Sequence, residues 1–591
     1  MKKYLPITIC LTALLITAGA LLYYEADFLW KVQEQNLFLD TSLFFKELMV
    51  VPGGLLSWVG TYLTQYFYYP WLGTLLLCLL WLLLMWLVKQ AFKLPNQWVA
   101  LSLIPVGLLL LTIVDMGYWV YMLKLQGHVF VGTLGAMAVV ALLWAYRALP
   151  ERYYLRALMI VVTAVLGYPL IGIYGLAAAF LMGVWAFRVV SGKLLTKMGY
   201  SLLALLCVVV VPLVCYRQLY HETNLANVYY AKLPLYYITE EYHLYYLPYY
   251  LLALFFLLLA IIPIKPIKLV KSCAIQGVLL IALVAGVATF WFKDENFHHE
   301  LKMERCIENG DWKGVVAEAA LQKDEPTRAV VMMRNLALSR LGRQGDEMFN
   351  YVNGSKAYAA PFGMRLMLVV GPLVYYHYGM LNYSSRLSTE MGVEFGWRVE
   401  NLKLMAKCAL LRNEHQQARK YLKLLKHTTF YADWADEVNA LPELKFVERM
   451  MHYDNVLSGD QGNVERFLMN RLAECTDTTD VYFQEQTLLA SLWTKDINQF
   501  WYHFSDYMRL HPNARVPLFY QEAAYLYCQI EGRNDIDRMP FDDVIKQSFN
   551  NFAMAAERYE NVDVDIARKA LQAYRFTYYY DFYLMRQLPE Y

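Results

Sequence analysis

The sequence predicts an all-α protein, in which a polytopic bundle of about nine membrane-spanning helices precedes a soluble helical domain. Nine long apolar runs occupy the first half of the chain. After Phe292, charged amphipathic sequence continues to Tyr591 without another clear run of membrane length. Charged residues make up 18% and hydrophobic residues 58%, against averages of roughly 25% and 45–50% in soluble domains. We therefore expect a transmembrane domain at 1–292 and a helical domain at 293–591.

The apolar runs of the first half are long enough to cross the hydrocarbon core of a bilayer, which takes roughly 17–25 helical residues. Several contain glycine or proline, which membrane helices tolerate where neighbouring groups satisfy the freed carbonyls. The fifth and sixth runs are separated only by residues 169–172, which predicts a tight helical hairpin. The nine predicted spans are residues 4–23, 71–88, 98–114, 129–146, 154–170, 172–188, 199–216, 247–264 and 273–292.

Positive charges are unevenly distributed between the two sides of this predicted bundle. Lysines and arginines follow the second, fourth, sixth and eighth spans, whereas the opposite loops, including 25–70 and 217–246, hold fewer. The positive-inside rule makes the richer side cytoplasmic. The amino terminus is then cytoplasmic, and an odd number of spans puts residues 293–591 outside. The bias is carried by Lys2, Lys3, Lys89, Lys93, Arg147, Arg152, Arg156, Arg188, Lys193, Lys197, Lys265, Lys268 and Lys271.

Three segments allow a different count of spans. Residues 51–70 are apolar and nearly long enough, but a span there would move every later positive cluster to the outer face, so we predict an interfacial or re-entrant helix. The small residues at 18–20 are compatible with signal-peptide cleavage, which would leave the downstream chain on the same side. The run 364–380 is apolar enough for a tenth span, but Arg365 and the Gly371-Pro372 break favour a soluble helix.

The second half is patterned as amphipathic helix pairs joined by short polar turns. In the clearest pair, residues 401–411 and His415–Lys426, small and apolar residues recur on facing sides. This pair resembles a tetratricopeptide repeat, and a helical repeat array offers a concave surface for a protein partner. An oxidising outer compartment would permit disulfides, but the pattern favours free thiols on helix faces at Cys306, Cys408, Cys475 and Cys528.

Two acidic residues stand in the first outer loop, 25–70. Glu34 and Asp40 precede an amphipathic stretch at 41–50 and the apolar segment 51–70. A carboxylate just outside a first span, followed by two helices along the membrane, resembles the GT-C membrane glycosyltransferases. That resemblance implies that Glu34 or Asp40 acts as base or holds a divalent cation beside a lipid-linked sugar donor. The alternative is that both are solvated loop acids beside the cap of a helix.

Further candidates lie on the same predicted side. Asp115, at the outer end of the third span, is either a second carboxylate for a cation or acceptor or a solvated interfacial acid. The loop 217–246 combines tyrosines with groups suited to acid–base chemistry and phosphate binding. The alternative there is an aromatic belt at the headgroup level. Its candidate substrate-binding residues are Arg217, His221, Glu222, Glu240 and His243.

Several functional classes are disfavoured. The formal net charge of +2 does not suggest a nucleic-acid partner. The sequence lacks a Gly-Lys-Ser/Thr phosphate loop, a His-Glu-x-x-His motif and a Gly-x-Ser-x-Gly motif, so the common ATPase, protease and hydrolase signatures are missing. No Cys/His cluster with zinc-ligand spacing occurs. The predicted spans contain almost no ionisable residues, which argues against ion-coupled transport.

The whole chain resembles uncharacterised bacterial inner-membrane proteins that join a polytopic half to a periplasmic, tetratricopeptide-like half. Residues 33–38, 52–54, 66–73 and 421–435 carry this resemblance. It implies a multi-pass protein of the bacterial inner membrane with a periplasmic carboxyl-terminal domain.

Two functional hypotheses follow from these patterns. The first is a membrane glycosyltransferase or oligosaccharyltransferase that uses a polyprenyl-linked donor on the outer face. In it, Glu34 or Asp40 is the base or cation ligand, Asp115 assists, and Arg217 or His221 binds phosphate. The second is a non-enzymatic, membrane-anchored scaffold whose helical-repeat domain binds cell-envelope proteins.

Overall fold

The structure is a computed structural model of the chain. It describes residues 5–585 except residues 125–126, 192, 237–241, 267–268, 355–365, 454–456, 458–462, 478, 534–538 and 540. The regular secondary structure among these residues consists of α-helices and 3-10 helices, without a β-strand, which confirms the predicted all-α class.

The chain forms two compact units. The first comprises Met1–Lys293 together with two later segments, Phe395–Glu400 and Lys423–Ala435. The second comprises Asp294–Glu394, Asn401–Leu422 and Asp436–Tyr591. A division of the sequence at Phe292 alone did not anticipate that two short segments of the later chain belong to the first unit.

The described part of residues 1–293 forms thirteen α-helices, of which the long ones are apolar in sequence. Four 3-10 helices join them, at Gln65–Tyr68, Asn96–Ser102, Leu225–Tyr230 and Tyr242–Tyr246. The α-helices are α1 (Leu5–Tyr24), α2 (Ala26–Glu34), α3 (Ser42–Leu48), α4 (Gly54–Thr64), α5 (Pro70–Phe92), α6 (Leu103–Val114), α7 (Trp119–Met122), α8 (His128–Ala148), α9 (Tyr153–Ile171), α10 (Ile173–Val189), α11 (Leu194–Gln218), α12 (Leu247–Ile261) and α13 (Leu269–Phe290).

Six helices in the described part of the chain are long and apolar enough to cross a membrane, as expected of a membrane protein. The count rises to eight if each of two bent helix pairs is one span. α10 is apolar but shorter, at 17 residues. Each of the nine predicted spans therefore coincides with a helix, while the total of nine stays a prediction. The six are Pro70–Phe92, Asn96–Val114, His128–Ala148, Tyr153–Ile171, Leu194–Gln218 and Leu244–Ile261.

The hairpin expected at 169–172 is present, and its geometry depends on glycine. Only Gly172 separates α9 from α10, and its φ of 63° lies in the region that favours glycine. A Cβ added to Gly167 would lie 3.0 Å from the Cα of Gly175. Small residues at these places let the two helices of the hairpin approach closely, as in other membrane bundles.

The loop 25–70 folds into three α-helices rather than one membrane-length helix. It contains α2, then an extended stretch, then α3, α4 and a 3-10 turn. α4 has 11 residues, so at 1.5 Å per residue it is roughly 16 Å long, about half of what a bilayer core requires. The structure therefore gives 51–70 no membrane-length helix, and its interfacial position stays a prediction.

The later part of the chain is also helical, and side-chain caps define many of its helix starts. Asp294, Asp311, Thr327, Asp480 and Asp496 each accept a hydrogen bond from a backbone N–H of the first turn. Three 3-10 helices lie at Val438–Ala440, Glu557–Tyr559 and Gln572–Tyr574. The α-helices are α14 (Glu295–Glu308), α15 (Trp312–Ala320), α16 (Arg328–Arg340), α17 (Gln344–Glu347), α18 (Leu366–Val369), α19 (Gly371–His377), α20 (Leu381–Phe395), α21 (Val399–Leu411), α22 (His415–Lys426), α23 (Ala432–Glu437), α24 (Pro442–Glu448), α25 (Val464–Ala473), α26 (Val481–Thr494), α27 (Ile497–Leu510), α28 (Leu518–Glu531), α29 (Asp543–Ala556), α30 (Val564–Ala570) and α31 (Tyr578–Leu584).

The helix pair that motivated the repeat hypothesis is present as α21 and α22. Leu402, Ala406, Ala409, Ala418 and Leu425 are buried. Lys403 and Lys407 of α21 are buried as well, so burial of that helix is not confined to one apolar face. The tetratricopeptide assignment itself stays a prediction. The described part of the run 364–380 forms two short helices, α18 and α19, rather than a membrane-length one.

The cysteines of the later part are free thiols in the structure. Cys408 and Cys528 are buried, and Cys306 and Cys475 are half-buried. This arrangement agrees with the expectation of thiols packed on helix faces.

Candidate functional site

The candidate site is built around α2, where the sequence runs through consecutive polar residues that the fold buries. Lys31 is 2% exposed, Glu34 is 3% exposed, and Gln33, Gln35 and Asn36 are equally inaccessible. Burying polar groups is costly unless each finds a hydrogen-bonding partner. Several of the partners come from the two later segments of the same unit, Phe395–Glu400 and Lys423–Ala435. We call these buried side chains and their partners Arg398, Glu400 and Tyr431 the Glu34 cluster.

Tyr431 is the partner of the Glu34 carboxylate. Its hydroxyl donates to Glu34 and lies 2.7 Å from the side-chain oxygen of Gln33. Tyr431 is itself buried, and its ring packs edge-to-face against Tyr68 with 5.4 Å between centroids. The carboxylate at the end of α2 is therefore committed to an internal hydrogen bond with a residue nearly 400 positions later in the chain.

Lys31 is held by a second carboxylate. Its ammonium group lies 3.0 Å from Oε2 of Glu400 and 5.1 Å from the ring centroid of Tyr121. The side-chain amide of Gln35 donates to the same oxygen of Glu400. A buried ammonium requires a charge partner or it is strongly destabilising, and Glu400 supplies it.

Arg398 and Asn36 connect the cluster to the backbone of neighbouring elements. The Arg398 guanidinium donates to the carbonyls of Tyr121 at 2.9 Å and Leu123 at 3.4 Å. Its burial lowers the pKa of Arg398 to about 10, against the opposing effect of Glu400. The Asn36 side chain donates to the carbonyl of Thr61 and accepts from the N–H of Gly127, at 3.1 Å and 3.2 Å. These bonds fix the loop against α4 and the start of α8.

An aromatic group adjoins the cluster. Phe430 stacks on Tyr68, with 5.0 Å between centroids and 3° between planes, and meets Tyr66 and Tyr69 edge-to-face. Offset and edge-to-face arrangements are the favourable ones for aromatic pairs. The segment Lys423–Ala435 is thus held by stacking as well as by hydrogen bonds.

The structure separates the two acids predicted for the first outer loop. Glu34 lies within the cluster, whereas the side chain of Asp40 is exposed and its backbone N–H donates to the carbonyl of His427 at 3.0 Å. Thr41, beside Asp40, caps α3 by accepting from the N–H of Phe44. Asp115 is half-buried immediately after α6. The roles proposed for these acids remain predictions.

The candidates of the loop 217–246 are only partly described. Arg217, at the end of α11, and His221 and Glu222, in the turn after it, are exposed. Glu240 lies outside the described residues. His243 falls in the 3-10 helix Tyr242–Tyr246, but its side chain is not among those described. Their proposed binding of phosphate or sugar remains a prediction.

Tyrosines of this same loop pack on each other. Tyr236 and Tyr245 stack with 5.0 Å between centroids, and the hydroxyl of Tyr246 donates to the carbonyl of Pro234. In the part of the chain that the structure describes, no group of three or more His, Cys, Asp or Glu side chains is arranged to hold a metal ion. The divalent cation implied by the GT-C resemblance therefore has no identified ligand set among those residues.

Sequence reasoning missed Lys31, Arg398 and Glu400 as members of this cluster. Lys31 resembled an ordinary loop lysine, and nothing near Arg398 marked its contact with residues some 280 positions earlier. The resemblance to uncharacterised membrane proteins did single out 33–38 and 421–435, which contain Glu34 and Tyr431. That coincidence was the one available signal that these stretches belong together.

Comparison with known proteins identifies a family for this chain. The model of a family of unknown function, DUF6057, matches residues 2–586, so the chain belongs to that family. No curated protein and no solved structure matches it.

Proposed function

We propose that this member of DUF6057 is a non-enzymatic, membrane-anchored scaffold that binds cell-envelope proteins through its second, helical unit. The supporting observation is that the polar side chains around α2 are hydrogen-bonded to other residues of the same chain. Glu34 is bonded to Tyr431, and Lys31 and Gln35 are bonded to Glu400. A general base must come within hydrogen-bond reach of its substrate, whereas a buried carboxylate bonded to its own chain serves the fold.

The proposal includes a location and an orientation. The chain is a multi-pass protein of the bacterial inner membrane, with a cytoplasmic amino terminus and a periplasmic second unit. The uneven distribution of lysine and arginine supports this orientation. The described part of its second unit is helical, with successive helices such as α26 and α27 packed against each other, and is suited to a repeat-like binding surface.

The glycosyltransferase hypothesis remains the second candidate, and the exposure of Asp40 is what favours it. Among the loop acids considered, Asp40 is accessible to an external sugar donor, as are Arg217 and His221. In this alternative, Asp40 is the base, Asp115 assists it, and Arg217 or His221 binds the pyrophosphate of a polyprenyl-linked donor.

One set of full-length variants distinguishes the two functions. Asp40→Asn and Asp115→Asn preserve shape and remove charge, and each is expressed in cells that lack the native copy and show an envelope defect, such as detergent sensitivity. The scaffold predicts that both variants restore growth and leave the cell's glycolipids and glycoproteins unchanged. Loss of rescue by Asp40→Asn at normal protein level, together with an altered glycan profile, would establish the enzyme instead.

The full chain is required for this experiment. A tail beginning at Asp294 would carry Phe395–Glu400 and Lys423–Ala435 away from the residues of the first unit that they bind. Failure of such a tail to restore growth would therefore say nothing about scaffolding.

A further inference from the structure

The second unit contains a cavity of about 330 Å³ that the proposed scaffold role does not use. This volume falls in the range of small-molecule sites, roughly 300–1,000 Å³. Four stretches of chain line it: residues 323–325, 349–354, 568–576 and 580–585. They come from separate parts of the sequence, so the cavity depends on the tertiary fold rather than on one loop.

Two arginines, the buried Arg334 and the half-buried Arg328, fix one wall of the cavity. Arg334 donates to the carbonyl of Val352 at 3.0 Å and also bonds the side chain of Asn353. Arg328 donates to the carbonyl of Asn353 at 2.6 Å while its guanidinium pairs with Glu465. The stretch 349–354 is therefore fixed by hydrogen bonds from two guanidinium groups. Such charge-assisted hydrogen bonds are stronger than those between neutral groups.

The opposite wall is fixed in a similar way. The Arg568 guanidinium donates to the carbonyl of Leu584 at 3.0 Å, and the hydroxyl of Tyr580 donates to the carbonyl of Arg568 at 2.9 Å. The ammonium group of Lys495 donates to the carbonyl of Met585 at 2.7 Å. A ligand that enters between two such walls does not have to order them, which lowers the entropic cost of binding.

The charges that line the cavity balance. The lining includes three cationic and three acidic side chains, whose formal charges sum to zero, so it has no excess charge that would favour an anion or a cation. The cationic residues are Lys323, Arg568 and Arg575, and the acidic residues are Asp324, Glu325 and Asp581.

The remaining lining is aromatic and amide-bearing. Phe576 is 40% exposed, and the Arg575 guanidinium lies 4.5 Å from its ring centroid. Tyr351 and Phe349 stand on the other wall, and Asn353 and Gln572 add amides. Flat rings suit the C–H faces of sugar rings, while guanidinium, carboxylate and amide groups match hydroxyls, which both donate and accept hydrogen bonds.

We propose that this cavity binds a neutral, hydroxyl-rich ligand, namely a short stretch of a carbohydrate chain. The site lies wholly within the second unit and is separate from the Glu34 cluster. It adds a glycan ligand to the proposed scaffold without requiring any chemistry, and it does not depend on the scaffold's protein partner.

The test uses the full chain in lipid nanodiscs, because maltoside and glucoside detergents carry sugar headgroups that would compete. A glycan array of neutral hexose and N-acetylhexosamine oligosaccharides, with sulfated and carboxylated oligosaccharides beside them, is probed with the native protein. Affinity for the best neutral oligosaccharide is then measured for Phe576→Ala, Arg575→Ala and Gln572→Trp, the last of which places a bulkier side chain in the lining of the cavity. Each is expected to bind at least about tenfold more weakly, a loss of about 1.4 kcal/mol.

Matched controls stand elsewhere in the same unit. Arg533 covers the ring of Trp501 at 4.4 Å, much as Arg575 covers Phe576, and Tyr502 is 46% exposed. Arg533→Ala and Tyr502→Ala are expected to bind the oligosaccharide as the native protein does. Absence of binding to any neutral oligosaccharide, binding restricted to acidic ones, or equal affinity in cavity and control variants would each overturn the proposal. Unchanged thermal unfolding midpoints establish that the variants are folded.

Discussion

The ammonium group of Lys31 lies 3.0 Å from the carboxylate of Glu400, a residue 369 positions later in the chain. The lysine side chain is 3% exposed and the glutamate side chain is 23% exposed. The more deeply buried charge, the Lys31 ammonium, is therefore stabilised by the less buried carboxylate of Glu400. Removing one partner of a buried pair costs more than the pair itself contributes, because the remaining charge stays desolvated.

Glu400→Ala is accordingly expected to destabilise the first unit by about 3 kcal/mol, because it removes a carboxylate that is paired with the buried Lys31 ammonium. The double variant Lys31→Met/Glu400→Ala removes the ammonium as well, so it should recover part of that loss. Denaturant unfolding followed by tryptophan fluorescence measures both. The pair Arg509–Asp506 provides the control, because its arginine side chain is 62% exposed and stays solvated when the acid is removed, so Asp506→Ala should cost less than about 0.5 kcal/mol. A single variant that is no less stable than the double variant would contradict the burial argument.

Tyr431→Phe is expected to destabilise the protein by about 1–3 kcal/mol, because it removes the hydroxyl that serves Glu34 and Gln33 and leaves buried acceptors without it. Tyr421→Phe is the matched control. Its hydroxyl accepts an exposed hydrogen bond from Gln417 at 3.1 Å, so its loss should be nearly neutral. The same unfolding assay compares the two. Equal effects would mean that the Tyr431 hydroxyl is not bonded in the folded protein.

Gly127→Ala is expected to disrupt the packing of α4 against the start of α8. Gly127 has a φ of 79°, and a Cβ there would overlap the backbone of Gly60 and Thr61. Backbone cannot move aside as a flexible side chain can, so a loss of about 2 kcal/mol or more is expected. Gly199→Ala in α11 is the control. A Cβ meets nothing within 4 Å there, and it should leave stability unchanged or raise it by up to about 1 kcal/mol. Comparable losses in both variants would refute the close approach.

Local patterns in the sequence predicted the helices well. The bounds expected for His415–Lys426 are those observed, and each long apolar run became a helix. Helical periodicity and span length are properties of neighbouring residues, so a single sequence contains them. The segment 51–70 forms no membrane-length helix, although its composition is nearly that of a span and only the charge rule spoke against one.

The site could not be predicted in the same way. Glu34 and Asp40 are both acids of one loop, yet one is buried and the other exposed. The hydrogen-bond partner of Glu34 is Tyr431, which is 397 positions away along the sequence. No periodicity links residues at such separation, and a lysine such as Lys31 in a loop is usually solvated. Phe395–Glu400 and Lys423–Ala435 join the first unit through tertiary contacts. Local sequence patterns do not reveal such contacts.

The proposed orientation predicts which loops are reachable from outside the cell membrane. Lys193, before α11, and His221, after it, are both exposed in the structure. A difference in labelling between Lys193→Cys and His221→Cys therefore shows on which side of the membrane each residue lies, because both are open to solvent. A membrane-impermeant maleimide should label the cysteine at 221 in intact spheroplasts and the cysteine at 193 only after permeabilisation. The parent chain serves as the blank for native thiols. The reverse pattern would invert the topology.

Glu522 predicts a pH dependence of stability. It is buried in α28 and accepts a hydrogen bond from the backbone N–H of Tyr578 at 2.6 Å. Burial raises the pKa of Glu522 from 4.5 to about 8, against the smaller opposing effect of that hydrogen bond. Between these two values the folded state holds a proton that the unfolded state has lost. Stability from this group is therefore fully present below pH 4.5 and declines as the pH rises towards 8.

Glu522→Gln should remove that decline, because glutamine fills the same space and does not ionise. Each pKa unit corresponds to about 1.4 kcal/mol, so the native protein should lose on the order of 4 kcal/mol more than the variant between pH 5 and pH 8. Thermal unfolding midpoints across that range measure the difference. Glu531→Gln, on the exposed end of the same helix, should follow the native profile. Parallel profiles for the native protein and Glu522→Gln would show that Glu522 is ionised in the folded state, because only a protonated carboxyl can produce the predicted slope.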